Sequence, residues 1–177
     1  MKFNEYKYEH LDLEKIKKEF SELIKSFEKA ENVEGQVNAF DEIIKLRNHI
    51  ETMQTLVSVR HSIDTNDEFY DKENEYMDEI SPILFGFTND FYKALVNSKF
   101  KDELIQKYGK FLFDLAENTL KTFSPEIIPD AQEENRLSSK YSKLIASAKI
   151  DFDGKELNLS QMVPYTQSKD LSLIHIS

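Results

Sequence analysis

Apolar residues recur at helical spacing through most of the chain and switch to strict alternation once, near residue 150. Leu13, Ile16, Phe20, Leu23, Ile24 and Phe27 predict an amphipathic helix of about five turns, with Asp12 placed to cap its free amides. The region Asn32 to Gly35 breaks that pattern. Ala39, Ile43, Leu46, Ile50, Met53 and Val57 then alternate in steps of four and three, the stripe of a long helix packed against a neighbour. Carried further, the stripe meets Arg60, His61 and Asp64, which are polar where burial is expected. Thr65-Asn66-Asp67-Glu68 has the spacing of a capping box, with Thr65 as the cap and Glu68 reaching back, and predicts a new helix there. Its apolar face is Phe69, Tyr76, Ile80, Ile83, Leu84, Phe87, Phe91, Ala94 and Leu95. Pro82 lies inside this face and predicts a kink or break near Ser81.

Asn97-Ser98 ends that helix. A further helical stretch is expected from about Phe100 to Phe123, interrupted at Gly109. Ser124-Pro125 reads as a cap followed by proline at the first helical position, and Pro129 delays a helix whose face is Leu137, Tyr141, Leu144, Ile145 and Ala148. The period then falls to two. In Ile150-Asp151-Phe152-Asp153-Gly154-Lys155-Glu156-Leu157-Asn158-Leu159, an Asp-Gly turn sets Ile150 opposite Leu157 and Phe152 opposite Lys155. Ala148, Ile150, Leu157 and Leu159 would share one face. Two strands alone are marginal in water, so this hairpin needs helices, or another part of the protein, to cover it.

Composition agrees with helices. Only four glycines and four prolines occur in 177 residues, with 32% charged residues, which favours an all-α fold over a sandwich or barrel. A net charge of −10 argues against non-specific binding to nucleic acid or an anionic membrane, both of which need a positive footprint. The absence of cysteine removes disulfides and thiolate metal sites and is compatible with a reducing cytoplasm. No signal core and no membrane span is evident, so a cytoplasmic location is expected.

Catalytic motifs are not found. A gluzincin site needs two histidines one helical turn apart and a glutamate beside the first, but His10, His49, His61 and His175 have no such spacing. Neither a phosphate-binding glycine loop nor a G-x-S-x-G elbow occurs. The chain by itself is not expected to hydrolyse peptides.

Four segments carry a family resemblance. They are Val59 through Tyr70, Phe123-Ser124-Pro125-Glu126-Ile127-Ile128, Lys143-Leu144-Ile145-Ala146-Ser147-Ala148, and Asp153-Gly154-Lys155-Glu156-Leu157-Asn158-Leu159-Ser160. With them the chain resembles the N-terminal region of the oligoendopeptidase F group of M3 zinc metallopeptidases, from about Met1 to Asp170. The resemblance implies the helical, mainly α N-terminal part of a thimet-oligopeptidase-like fold, with one short β-hairpin near residues 149–159. Members of that family cleave short peptides in a narrow channel between two halves, the N-terminal half forming one wall. Their H-E-x-x-H zinc site lies in the other half. The resemblance thus implies Zn²⁺ in the parent enzyme but none on this chain, short peptides as substrates, and a missing C-terminal catalytic domain as partner. No zinc ligand or catalytic residue of the family has a matching position here. After Gln167-Ser168-Lys169-Asp170 the family continues with a charged helix rich in Arg and Ala. Leu171-Ser172-Leu173-Ile174-His175-Ile176-Ser177 departs from it and reads as a non-native tail, which removes His175 as a ligand.

The polar interruption is the one candidate site. Arg60, His61, Asp64 and Asp67 would face the substrate channel and contact the backbone or terminus of a peptide, for which a guanidinium fork and an imidazole are suitable donors. The commoner arrangement pairs Arg60 with Asp64 one turn away and satisfies His61 with carbonyls at a helix end. The aromatic set Phe69, Tyr70, Tyr76, Phe87, Phe91 and Tyr92 has the same two readings, a peptide-binding wall or, more commonly, core. An alternative function for the whole chain is a helical interaction module that binds a partner through an apolar groove.

Overall fold

The computed structural model describes residues 3–169; Asp170 and the expected non-native tail, with His175, lie outside the described residues. Seven α-helices and one two-stranded antiparallel sheet are described: α1 (Leu13–Lys29), α2 (Val33–Ile63), α3 (Glu68–Val96), α4 (Lys101–Tyr108), α5 (Lys110–Thr122), α6 (Ile128–Ala146), β1 (Ile150–Phe152), β2 (Lys155–Leu157) and α7 (Leu159–Thr166). The chain divides between Glu133 and Glu134 into two compact units.

In the first unit, α1, α2 and α3 pack on one another, and α5 packs on α3. Asp12 caps α1 as expected, its Oδ1 accepting from the Lys15 amide at 3.0 Å. Asn32 likewise caps α2, accepting from the Gly35 amide at 2.8 Å, so the break before α2 closes at Asn32 and Gly35 lies inside the helix. Every residue of the predicted α2 stripe, from Ala39 to Val57, is buried. Phe91 of α3 sits at the centre of the core, edge-on to Phe27 of α1 at 5.8 Å and tilted against Phe40 of α2 at 5.6 Å. The buried Gln36 joins three helix ends. Its Nε2 donates to the Phe27 carbonyl at 3.1 Å, and its Oε1 accepts from the Ser98 hydroxyl.

Several expectations are corrected. The helix after α2 is capped by Asp67 rather than Thr65, because the Asp67 carboxylate accepts from the Phe69 and Tyr70 amides at 2.9 and 3.1 Å. Thr65 and Asn66 form the turn before it, held by the Asn66 amide on Asp64 Oδ1 at 3.0 Å. Phe69 begins no buried face and is 53% exposed. Pro82 does not break the chain: α3 runs through it from Glu68 to Val96, with Pro82 itself buried. Burial of Ile80 and Leu84 on either side holds the two segments together against a proline penalty of about 3 kcal/mol. Gly109, at φ 86°, separates α4 from α5 as expected, in a backbone region that other residues rarely enter. Ser124 caps a short 3₁₀ turn at Pro125–Ile127, and Pro129 stands in the first turn of α6 instead of delaying it.

In the second unit the hairpin has the expected register, Ile150 opposite Leu157 and Phe152 opposite Lys155. Asp153 and Gly154 take φ of 52° and 69°, the pair of positive values that the turn requires. Leu159 is not in the strand. Asn158 and Gln161 form a reciprocal capping box that starts α7 there, with both amide contacts at 2.9 Å. This helix brings Tyr165 edge-on to Phe152 at 4.9 Å, and Phe152 and Met162 are buried. The expected apolar face of α6 is open instead: Leu137, Tyr141, Leu144 and Ile145 are exposed, and α6 has no buried residue.

Candidate functional site

The four candidate residues all lie at the elbow where α2 ends and α3 begins. Asp64 caps the C-terminus of α2, its amide donating to the Arg60 carbonyl at 3.3 Å, and Asp67 caps α3. Arg60 reaches away from both. Its guanidinium donates to the Tyr70 hydroxyl and to the Tyr6 carbonyl, and lies over the Tyr70 ring at 5.4 Å from the centroid. The expected ion pair with Asp64 is not among the ion pairs of the described residues, because Arg60 spends its fork on the N-terminal lead and on α3. His61 is 7% exposed, and its Nε2 lies 3.1 Å from Asp71 Oδ1 on α3. A carboxylate across the elbow, rather than carbonyls at the helix end, therefore satisfies it.

Residues that the sequence pattern did not single out complete this region. The lead before α1 is strapped across α3 by Tyr8 and His10, which both reach Glu73. The Tyr8 hydroxyl donates to the Glu73 carboxylate, and His10 Nδ1 lies 2.9 Å from Glu73 Oε2. His10 stacks on Tyr76 with ring centroids 4.7 Å apart, and the Tyr76 hydroxyl donates to the Leu11 carbonyl at 2.8 Å. Burial, reinforced by the neighbouring Glu73 carboxylate, raises the Tyr8 phenol above its ordinary range. No spacing rule links Tyr8 or His10 to Glu73, because more than sixty residues separate them. The His61–Asp71 pair had a faint signal: a tight turn between antiparallel helices sets residues about ten apart opposite each other.

The aromatic set divides. Phe91 and Tyr92 are buried, Tyr76 and Phe87 are partly buried against the core, and Phe69 is exposed. Tyr92 also borders a cleft of about 360 Å³ between α1, α2, α3 and α5, lined among others by Phe20, Arg47, Gln54, Ser81 and Thr88. Arg47 lies over the Tyr92 ring at 5.7 Å, and Gln54 Nε2 donates to Ser81 Oγ at 2.9 Å. The second unit has its own open groove of about 460 Å³, bordered by Tyr141, Ile145, Ala146 and Leu159.

These side chains do not fit a zinc ion. The two histidine–carboxylate pairs, His10–Glu73 and His61–Asp71, each supply two donor groups at most. Among the described residues no three or more His, Asp or Glu side chains come close enough together to hold a metal. Nor is any helix of the described residues long and apolar enough to cross a membrane.

Comparison with known proteins gives a consistent result. The sequence pattern of the Peptidase M3 N-terminal domain matches residues 3–123. PZ peptidase A, solved with an inhibitor, is 48% identical over 99% of this chain and 31% of its own, with a TM-score of 0.95. A protein assigned as an oligoendopeptidase F is 46% identical over 99% of this chain and 31% of its own, with a TM-score of 0.96. One assigned likewise from Bacillus anthracis str. Ames is 44% identical over 99% of this chain and 32% of its own, with a TM-score of 0.96. The chain thus spans about a third of the length of these relatives. No curated protein matches.

Proposed function

The chain belongs to the peptidase M3 family through its N-terminal domain, and from that premise we propose that it is the N-terminal, channel-wall part of a zinc-dependent oligoendopeptidase that hydrolyses short peptides. In this reading the chain admits unfolded peptides short enough to enter and is inactive alone. What supports it is the joint likeness in sequence and fold, 48% identity at a TM-score of 0.95, to part of a peptidase. The zinc ion and the general base belong to the C-terminal remainder, where the metal would polarise the scissile carbonyl and activate water. Arg60 and His61 are already engaged with Tyr6, Tyr70 and Asp71. Any contact they make with peptide is therefore made from a braced elbow. The cysteine-free composition suits a cytoplasmic setting.

One observation favours the alternative of a free-standing helical interaction module: α7 already covers Phe152 of the hairpin. The open face of α6 favours the peptidase part. Cleavage of a quenched fluorescent heptapeptide in the presence of Zn²⁺ separates the two. No cleavage is expected from the chain alone, and cleavage is expected once it is co-expressed with the remaining two thirds of PZ peptidase A. Zinc-dependent turnover by the isolated chain would refute the proposal, as would a co-expressed pair without activity.

A further inference from the structure

We propose that the apolar face of α6, with Leu159 beside it, is the seat on which the C-terminal remainder of the parent protein docks. The inference rests on the reading of the chain as part of a longer peptidase.

Leu137, Tyr141, Leu144 and Ile145 are spaced four, three and one residues apart, which places them on one stripe of α6. They are 52%, 65%, 67% and 39% exposed. Each of α1 to α5 has one or more fully buried residues on its apolar face, whereas none of the 19 residues of α6 is more than partly buried. Helices in proteins draw most of their stability from a packed apolar face, so a stripe this apolar calls for cover. The stripe also opens into the groove bordered by Tyr141, Ile145, Ala146 and Leu159. An apolar ridge beside a groove that mixes Tyr141, Ile145 and Leu159 with Ser142, Asn158 and Ser160 suits an amphipathic helix face, because ridges seat in grooves.

The occupant is named by what is missing. Similar proteins match this chain over 99% of its length, yet more than two thirds of each of them lies outside the match. An interface of the kind found between parts of one chain commonly covers on the order of 600–1,500 Å², and it needs an apolar patch of this sort at its centre. A second copy of this chain is the weaker candidate, since a net charge of −10 on each copy opposes pairing.

The test is co-expression of the full 177-residue chain with the remaining two thirds of PZ peptidase A, followed by affinity capture through a tag on the latter. Stoichiometric capture is expected for the unaltered chain. The double variant Tyr141→Glu/Leu144→Glu should reduce it roughly tenfold or more, since it buries two charges against apolar side chains. Tyr141→Phe/Leu144→Met, which keeps the face apolar, should retain it. The isolated glutamate variant should melt at the same temperature as the unaltered chain. Capture that ignores the glutamates, or no capture of the unaltered chain, overturns the proposal. So does a lowered melting temperature of the isolated variant, which would mean that the face is covered within this chain, or a dimer of the chain that the glutamates abolish without affecting capture. Peptide cleavage read on the same complexes keeps the two ideas apart. Glutamate-sensitive capture without cleavage would leave the seat standing and remove the peptidase, whereas cleavage with glutamate-insensitive capture would do the reverse.

Discussion

His61 at the end of α2 faces Asp71 in the first turns of α3, with Nε2 3.1 Å from Oδ1 across the elbow. The imidazole is almost wholly buried, so the carboxylate is the partner that keeps a polar ring inside the protein. Together with the reach of Arg60 to Tyr6 and Tyr70, the pair makes the elbow a brace between two long helices and the N-terminal lead.

Removing the acceptor should cost more than changing its charge. Asp71→Ala leaves His61 buried without a carboxylate and is expected to destabilise the chain by about 1–3 kcal/mol, whereas Asp71→Asn keeps an acceptor oxygen and costs less. Urea unfolding followed by circular dichroism measures both, and equal losses would remove His61 as the reason.

Arg60→Lys is expected to free the N-terminal lead with little change in the melting temperature of the core. A lysine cannot span the Tyr6 carbonyl and the Tyr70 hydroxyl with one planar fork. Limited proteolysis should cut within residues 6–12 several times faster in the variant, and unchanged protection would argue against the strap.

Two phenols make the protein sensitive to alkali. Burial first, and then the Asp41 carboxylate 3.1 Å away, push the Tyr108 hydroxyl up to about 12, and Tyr8 is raised by burial and Glu73. The folded form therefore holds these protons more tightly than the unfolded form. The stability that Tyr108 contributes is full below the ordinary phenol value of 10.0 and is lost as pH climbs from there toward about 12, and that of Tyr8 is lost at higher pH still. Melting temperatures measured from pH 9 to 12 should fall less steeply for Tyr108→Phe, which cannot ionise.

Core and open face should respond in opposite ways to truncation. Phe91→Ala empties the site between Phe27 and Phe40 and is expected to cost about 3–5 kcal/mol. Leu144→Ala removes a side chain that is 67% exposed and should change the stability of this chain by no more than about 0.5 kcal/mol. Denaturant titration of the two variants checks the contrast.

Positive φ gives a further expectation. Gly154 sits at φ 69° with nothing within 4 Å of where a Cβ would stand, so the backbone rather than crowding sets the cost of Gly154→Ala, about 1–2 kcal/mol. Gly154→Asn should cost less, since Asn enters that region more readily. Hydrogen exchange at the Ile150 and Leu157 amides reports the loosened hairpin.

The sequence by itself determined the features that depend on a few neighbouring residues. Asp12 caps α1, the α2 stripe is buried from Ala39 to Val57, Gly109 parts α4 from α5, and Asp153-Gly154 sets the hairpin register. Each follows from local geometry: an oxygen near a free amide, a helical period, or a backbone angle that only certain residues adopt. Asn158-x-x-Gln161 is equally local, and it is masked because the alternating pattern of the hairpin runs on to Leu159. Only the tertiary structure decided the rest. It joined His61 to Asp71, drew Arg60 to Tyr6 and Tyr70 instead of Asp64, and brought Tyr8 and His10 onto Glu73. It carried α3 through Pro82 without ending the helix and left the face of α6 open. Spacing along the chain says which groups can meet within a turn, but a charged fork or a ring takes the partner that packing brings nearest, and an apolar stripe is buried only where another surface arrives to cover it.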